Sequence, residues 1–203
     1  GFSGLQLNSI NKFMTGKIAR VKPYIGITAE GLKGNATPKD LESLFQMTYA
    51  YFTNLNFDQS AFEGYKQKQE AFFSNMLSQP NFYFQQEFYT YLNTNNPRFN
   101  GLIPTAKTWQ ETDYSLAYKK YKERFANAAD FEFYFVGNID DNTIESYATK
   151  YLASLPASEN REKALDLGYR MLAGDLKKVV NKGIDPKSNV LIMYYGDAQY
   201  SDK

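Results

Sequence analysis

Residues 114–156 read YSLAYKKYKERFANAADFEFYFVGNIDDNTIESYATKYLASLP. Tyr114, Tyr118, Tyr121 and Phe125 are spaced by 4, 3 and 4 residues. That spacing predicts a helix with a single aromatic face. Phe131, Phe133 and Phe135 then alternate with Glu132, Tyr134 and Val136. This is the pattern of a strand that is apolar on one side and at least half covered on the other. Gly137 closes the strand. Asp140 or Asp141 suits the cap of the next helix and sits well against its positive end. Ile144, Ala148, Tyr151 and Leu155 form the apolar stripe of that helix, and Pro156 stops it.

Upstream, Ser3 with Gln6 three residues on makes a capping-box pattern. A helix is expected over about 4–15, with Leu7, Ile10, Phe13 and Met14 covered and Gly16 at its end. Residues 18–36 predict a β-hairpin, with Val21, Ile25 and Ile27 on one arm and Leu32 on the other. Pro23 has no N–H for a ladder and belongs at an edge or bulge. Thr37, Pro38 and Asp40 signal the start of a helix running to about Leu55, lined by Leu41, Leu44, Phe45, Tyr51 and Phe52. Asp58 caps a second helix to Ser78, with Phe62, Tyr65, Gln69, Phe72 and Met76 as its stripe. A third helix, about 81–92, covers Phe84, Phe88 and Tyr91. The Asn-rich residues 93–108 are loop, and Trp109 begins a short helical turn as a packing anchor.

Downstream, residues 157–172 mix charges of both signs with weak periodicity and read as a linker. Residues 175–181 and 189–195 read as strands joined by a turn at Gly183 and Pro186. The second, almost wholly apolar, is expected to be central in a sheet. Nothing follows it to pack on, so the chain reads as a piece cut at both ends. The expected fold class is α+β: a mostly antiparallel sheet against several helices. The expected organisation is a domain over 1–156, a linker over 157–174 and the first strands of a following domain over 175–203.

Composition excludes several classes of function. The 203 residues contain no histidine and no cysteine. Ser-His-Asp and Cys-His catalysis are therefore absent, and so are zinc sites built on imidazole or thiolate. No D-x-D-x-D-G calcium pattern is present. A net charge of +1 gives no electrostatic footprint for nucleic acid or an anionic membrane. No apolar run is long enough to span a bilayer. Aromatic residues make up 17 % of the chain, and most fall at helical spacing. They are read as core, with a stacking surface for sugars or peptides as the alternative.

A strand ending Phe-x-Val-Gly-Asn, then Ile-Asp, then a helix ending Tyr-Leu-x-Ser-Leu-Pro, resembles the closing strand–helix unit of the insulinase-type (pitrilysin) zinc metallopeptidases. The Tyr-Lys-Glu-Arg-Phe run at 121–125 is similar to the helix leading into it. PYIGITAEGLKG at 23–34, followed by PKDLE at 38–42, looks like the hairpin and helix of that family's third domain, which opens the non-catalytic half in bacterial members. KVVNKGIDPKSNV at 178–190 resembles the entry to the fourth domain. Residues 57–80, FDQSAFEGYKQKQEAFFSNMLSQP, resemble the helix that carries a downstream metal glutamate in the catalytic domain. The nearest carboxylate here is Glu70, and no histidine exists for it to join.

The resemblance implies a non-catalytic, peptidase-like domain that encloses and binds peptide. Zinc hydrolysis, through H-x-x-E-H and a polarised carbonyl, then lies in the catalytic half of the parent protein. No residue of this chain is assigned a catalytic, cofactor-binding or metal role. The expected partners are peptide substrate and the catalytic half of the same polypeptide, with no nucleic acid and no membrane span. A periplasmic setting is favoured over a cytoplasmic one. The hairpin 18–36 is the candidate edge for taking up a substrate strand. The alternatives are an assembly scaffold of the same fold and a carbohydrate-binding module.

Overall fold

A computed structural model describes residues 1–26, 28–194 and 196. Ile27 and Tyr195, both placed in strands by the sequence, lie outside the described residues, as does the covering expected for the Leu7 side chain. The chain forms two compact units, residues 1–65 with 112–165 and residues 66–111 with 166–203.

The first unit begins with α1 (Leu7–Phe13), shorter than its capping pattern suggests. Ser3 and Gly4 take left-handed backbone conformations, φ 53° and 73°, which hold them outside the helix. Gln6 is the N-cap and makes no side-chain capping bond. Ile10 is buried, whereas Phe13 is exposed and the Lys17 ammonium lies over its ring.

β1 (Ala19–Ile25) and β2 (Glu30–Ala36) form the expected antiparallel hairpin. It is followed by a 3-10 turn, Pro38–Asp40, and α2 (Leu41–Thr53). The capping signal here works through Asp40. Its carboxylate accepts the Ile18 N–H and the Thr37 hydroxyl, each at 2.8 Å. One buried carboxylate thus ties the start of the hairpin to the start of α2. The Ile18 bond, then the Thr37 bond, holds its pKa below the ordinary carboxylate value.

α2 is the centre of this unit. Phe45 is 1 % exposed and lies among Phe135, Tyr147 and Tyr151, with centroids 5.0, 5.6 and 6.4 Å away. Phe125, equally buried, packs against Phe52, Tyr121 and Phe131. These rings converge as the spacing of α6 (Tyr114–Arg124) requires. The tyrosines of α6 also carry polar bonds. Tyr121 and Tyr118 donate their hydroxyls to the carbonyls of Tyr51 and Leu55, at 3.1 and 2.7 Å. The Asp58 N–H donates to the Tyr114 hydroxyl at 3.1 Å. The Tyr114 ring stacks against both Phe57 and Phe62. A helix end leaves carbonyls without helical partners, and α6 supplies hydroxyls to the chain as it leaves α2.

Asp140 caps α7 (Asp141–Tyr147), accepting the Asn142 and Thr143 N–H groups. The helix continues as one wide π-turn over Ala148–Leu152 before Pro156.

α3 (Gln59–Ser78) begins in the first unit and runs into the second, with the Asp58 carboxylate accepting the Ala61 N–H at 3.0 Å. Its covered side differs from the expected stripe. Tyr65 and Phe72 are 55 % and 57 % exposed, while Phe62, Lys66, Gln69, Phe73 and Met76 are half-buried. Long polar side chains cover apolar surface with their stems, so polarity alone misplaces the phase.

In the second unit, α4 (Pro80–Leu92) starts on Pro80, with Phe84, Phe88 and Tyr91 half-buried and Gln86 and Leu92 fully buried. The Gln86 side-chain amide oxygen, Oε1, accepts the Ile103 N–H at 2.7 Å and fixes the loop that precedes α5 (Ala106–Glu111). α5 starts before Trp109 because Thr105 caps it, accepting the Thr108 N–H at 3.2 Å. The Trp109 ring stacks with Phe73.

Three expected strands are corrected. Residues 131–136, 175–181 and the described part of 189–195 carry no sheet ladder, and the sheet among the described residues has two strands. Phe131–Val136 keeps its alternation without a partner. Phe131 and Phe133 meet Phe52, and Phe135 stacks on Phe45, whereas Tyr134 and Val136 are 81 % and 98 % exposed. A strand requires N–H and C=O groups beside it, and alternation supplies only one face of that requirement. Val190, Ile192 and Tyr194 are exposed rather than central. The chain is nevertheless α+β: mostly helical, with an antiparallel pair.

Candidate functional site

The candidate edge is the β1–β2 hairpin. Thr37 N–H donates to the Ile18 carbonyl at 3.0 Å, and Gly26 N–H to the Ala29 carbonyl at 2.8 Å. The register runs from Ala19↔Ala36 to Ile25↔Glu30. Antiparallel pairs alternate between hydrogen-bonded and non-hydrogen-bonded. The ladder bonds therefore belong to Arg20, Lys22 and Tyr24 with Asn35, Lys33 and Gly31. The N–H and C=O groups of the intervening residues point away from the hairpin.

Pro23 falls on an outward-pointing position, opposite Leu32. The ladder loses nothing there, but the outer edge of β1 lacks a donor at that point. The outer edge of β2, at Glu30, Leu32, Gly34 and Ala36, is complete. Among the described residues no strand pairs with it.

The two faces of the hairpin differ. Val21, Leu32 and Gly34 turn toward α2: a Cβ on Gly34 would lie 3.3 Å from the Leu44 side chain and 2.6 Å from the Arg20 carbonyl oxygen. Arg20, Lys22, Tyr24, Lys33 and Asn35 occupy the exposed face. Arg124 of α6 anchors the start of β2, binding the carboxylates of Glu30 and Glu162. The sequence pattern marked the hairpin through Pro23 and the glycines but passed over Arg20, Lys22 and Lys33. Their alternation at 20 and 22, and the register that sets Lys33 against Lys22, was the available signal.

Among the described residues no cluster of metal-binding side chains surrounds this edge. The chain has no histidine or cysteine, and among the described residues no group of three or more acidic side chains could hold a metal. Zinc, which the family resemblance implies for the catalytic half of the parent protein, does not fit the donors present in this chain. Glu70 is a half-buried position on α3. The depression along α6, lined by Tyr118, Lys119, Lys122, Glu123 and Ala126, holds one carboxylate, and Lys120 already binds it at 2.6 Å. Among the described residues no helix is long and apolar enough to cross a membrane.

Two solved structures share this fold. The ferredoxin protease FusC, a mutant in complex with Arabidopsis ferredoxin, aligns with 86 % of the chain at 13 % identity and a TM-score of 0.62. The periplasmic protease PqqL from Escherichia coli aligns with 82 % at 17 % identity and the same TM-score. The chain spans 18 % of the length of each. No curated protein matches by sequence. The sequence profile of the Peptidase M16 inactive domain matches residues 117–203, which include most of α6, the phenylalanine alternation and α7. Residues 117–203 are thus similar to the inactive domain of the insulinase-type (M16) peptidases, and the chain shares its fold with parts of two proteases.

Proposed function

We infer that this chain is a peptide-enclosing wall of a two-part zinc peptidase, with the metal and the acid–base groups carried by another part of the polypeptide. The observation that carries this reading is inactive-domain sequence in a chain that has neither imidazole nor thiolate. The complete outer edge of β2 supports it, because a sheet edge can bind an extended chain through main-chain hydrogen bonds. The fold shared with two proteases supports it as well. The reading includes a periplasmic setting, the compartment of PqqL.

The test has two measurements. Purified alone, the chain is expected to hold no stoichiometric zinc and to cleave no peptide. Joined to the catalytic half of its parent polypeptide, it is expected to support cleavage that falls when the hairpin tip, residues 24–31, is replaced by a short turn. Stoichiometric zinc in the isolated chain overturns the reading. So does unchanged cleavage and peptide affinity after the tip is replaced. A stable assembly that never includes a catalytic half moves the assignment to a scaffold.

A further inference from the structure

The exposed face of the hairpin is cationic and uncompensated. Lys22 stands directly opposite Lys33, and Arg20 lies two residues along the same strand. Like charges opposite one another weaken a strand pair, so this face does not serve the stability of the hairpin. Nor does it follow from bulk composition, since 23 basic residues face 22 acidic ones. Several surface cations elsewhere meet carboxylates, among them Lys107 with Glu111, Lys120 with Glu123, Lys150 with Glu42 and Arg170 with Asp166. Among the described residues, Arg20, Lys22 and Lys33 make no ion pair within 4.0 Å. The hairpin's own carboxylate, Glu30, is bound by Arg124.

This face adjoins the free backbone edge of β2. A strand added there continues the sheet, and every second side chain of it falls on the cationic face, about 7 Å from the next. The first such side chain lies beside Lys33, whose ammonium rests 5.0 Å from the Tyr24 ring centroid. The Tyr24 ring covers Gly31. The surface beside the edge is therefore flat at Gly31 and charged at Lys33, with Lys22 and Arg20 one strand further in.

We propose that the outer edge of β2 takes up an extended peptide whose alternate side chains are acidic, laid beside Lys33 and within the field of Lys22 and Arg20. This rests on the peptide-enclosing reading and narrows its substrate class. Main-chain bonds supply register, and the cations supply selection and a faster encounter.

The test uses the full chain and two labelled peptides of about ten residues, one alternating Glu with Thr and one alternating Gln with Thr, followed by fluorescence anisotropy. The acidic peptide is expected to bind about tenfold or more tightly at low salt, with the advantage shrinking as salt is raised. Lys22→Glu places an opposite charge across from Lys33, so it should leave the unfolding temperature equal or higher while removing the preference. That separates lost binding from lost folding. Equal affinity for both peptides overturns the charge selection and leaves the enclosing role standing. Binding of neither peptide overturns the proposal, while the enclosing role is judged separately by zinc content and cleavage. Tighter binding of an oligonucleotide or of anionic vesicles also overturns it, since either offers the same negative charge without a strand.

Discussion

The Tyr118 hydroxyl donates to the Leu55 carbonyl at 2.7 Å, and this bond closes the polypeptide where it leaves α2. Phe2 bridges the same residue, with Ser3 N–H donating to the Asn54 carbonyl and Asn56 N–H to the Gly1 carbonyl. The bonds of that bridge are made by the neighbours of Leu55, so its own carbonyl needs a partner from elsewhere, and α6 brings it. Tyr118→Phe keeps the ring and removes the donor. The expected loss is about 1 kcal/mol, at the low end for an orphaned acceptor because Tyr118 is half-buried and water can reach the site. Chemical denaturation of the two proteins checks this. An unchanged midpoint would show that water replaces the hydroxyl without cost.

Asp40 is expected to make the fold sensitive to acid. Its pKa is lowered in the folded chain, chiefly by the Ile18 N–H and then by the Thr37 hydroxyl. A lowered carboxylate contributes stability above its unfolded pKa of about 3.9 and loses it as pH falls through the folded value. Asp40→Asn keeps the shape and one acceptor but cannot ionise. The unfolding temperature of the wild type should exceed that of the variant near neutral pH, and the gap should narrow below about pH 4. A gap that stays constant from neutral to acid pH would show that the charge of Asp40 contributes nothing.

Two glycines make opposite predictions. A Cβ at Gly34 would meet the Arg20 carbonyl oxygen at 2.6 Å and Val21 Cγ2 at 3.2 Å, so backbone must move. Gly34→Ala is expected to destabilise by roughly 1–3 kcal/mol, the usual scale of overpacking. Gly64 lies on exposed helix α3 with nothing within 4 Å of its Cβ position. Gly64→Ala should stabilise by about 0.5–1 kcal/mol through helix propensity and a less free unfolded chain. Thermal melts of both variants test the hairpin packing and the α3 assignment together. A stabilising Gly34→Ala would contradict the close approach of the two strands.

The residues that revealed the fold in sequence are those whose signals are local. Asp58, Asp140 and Pro38 mark helix starts through bonds or dihedrals within a few residues, and all three stand where they were expected. The 114–118–121–125 spacing fixes the inner face of α6 in the same way. Ser3 and Gln6 carry an equally local pattern, yet the bond from Ser3 N–H to the Asn54 carbonyl, at 2.7 Å, holds Ser3 in another role. Strands need a neighbour that may be distant in sequence, so the alternation at 131–136 was legible and its missing ladder was not. The candidate edge was half legible. Pro23 and the glycines identified the hairpin, but which edge is complete follows only from the hydrogen-bond parity of the register.

Phe135 and Val136 give the sharpest test of that unladdered segment. The Phe135 ring stacks on Phe45, centroids 5.0 Å apart and planes 13° apart, over the most buried ring of α2. Val136 is next in sequence and 98 % exposed. If side-chain alternation alone holds the segment, the two positions must differ sharply. Phe135→Ala removes a stacked ring from a core that cannot close around the gap. The loss should be roughly 2–3 kcal/mol, less than for a fully buried phenylalanine because the ring is partly exposed. Val136→Ala removes methyl groups that touch little and should stay within about 0.5 kcal/mol of the wild type. Equilibrium unfolding of the two variants decides the matter. Comparable losses at both positions would mean that the Val136 side is covered in solution, as it would be if a further strand or a second chain lay against residues 131–136.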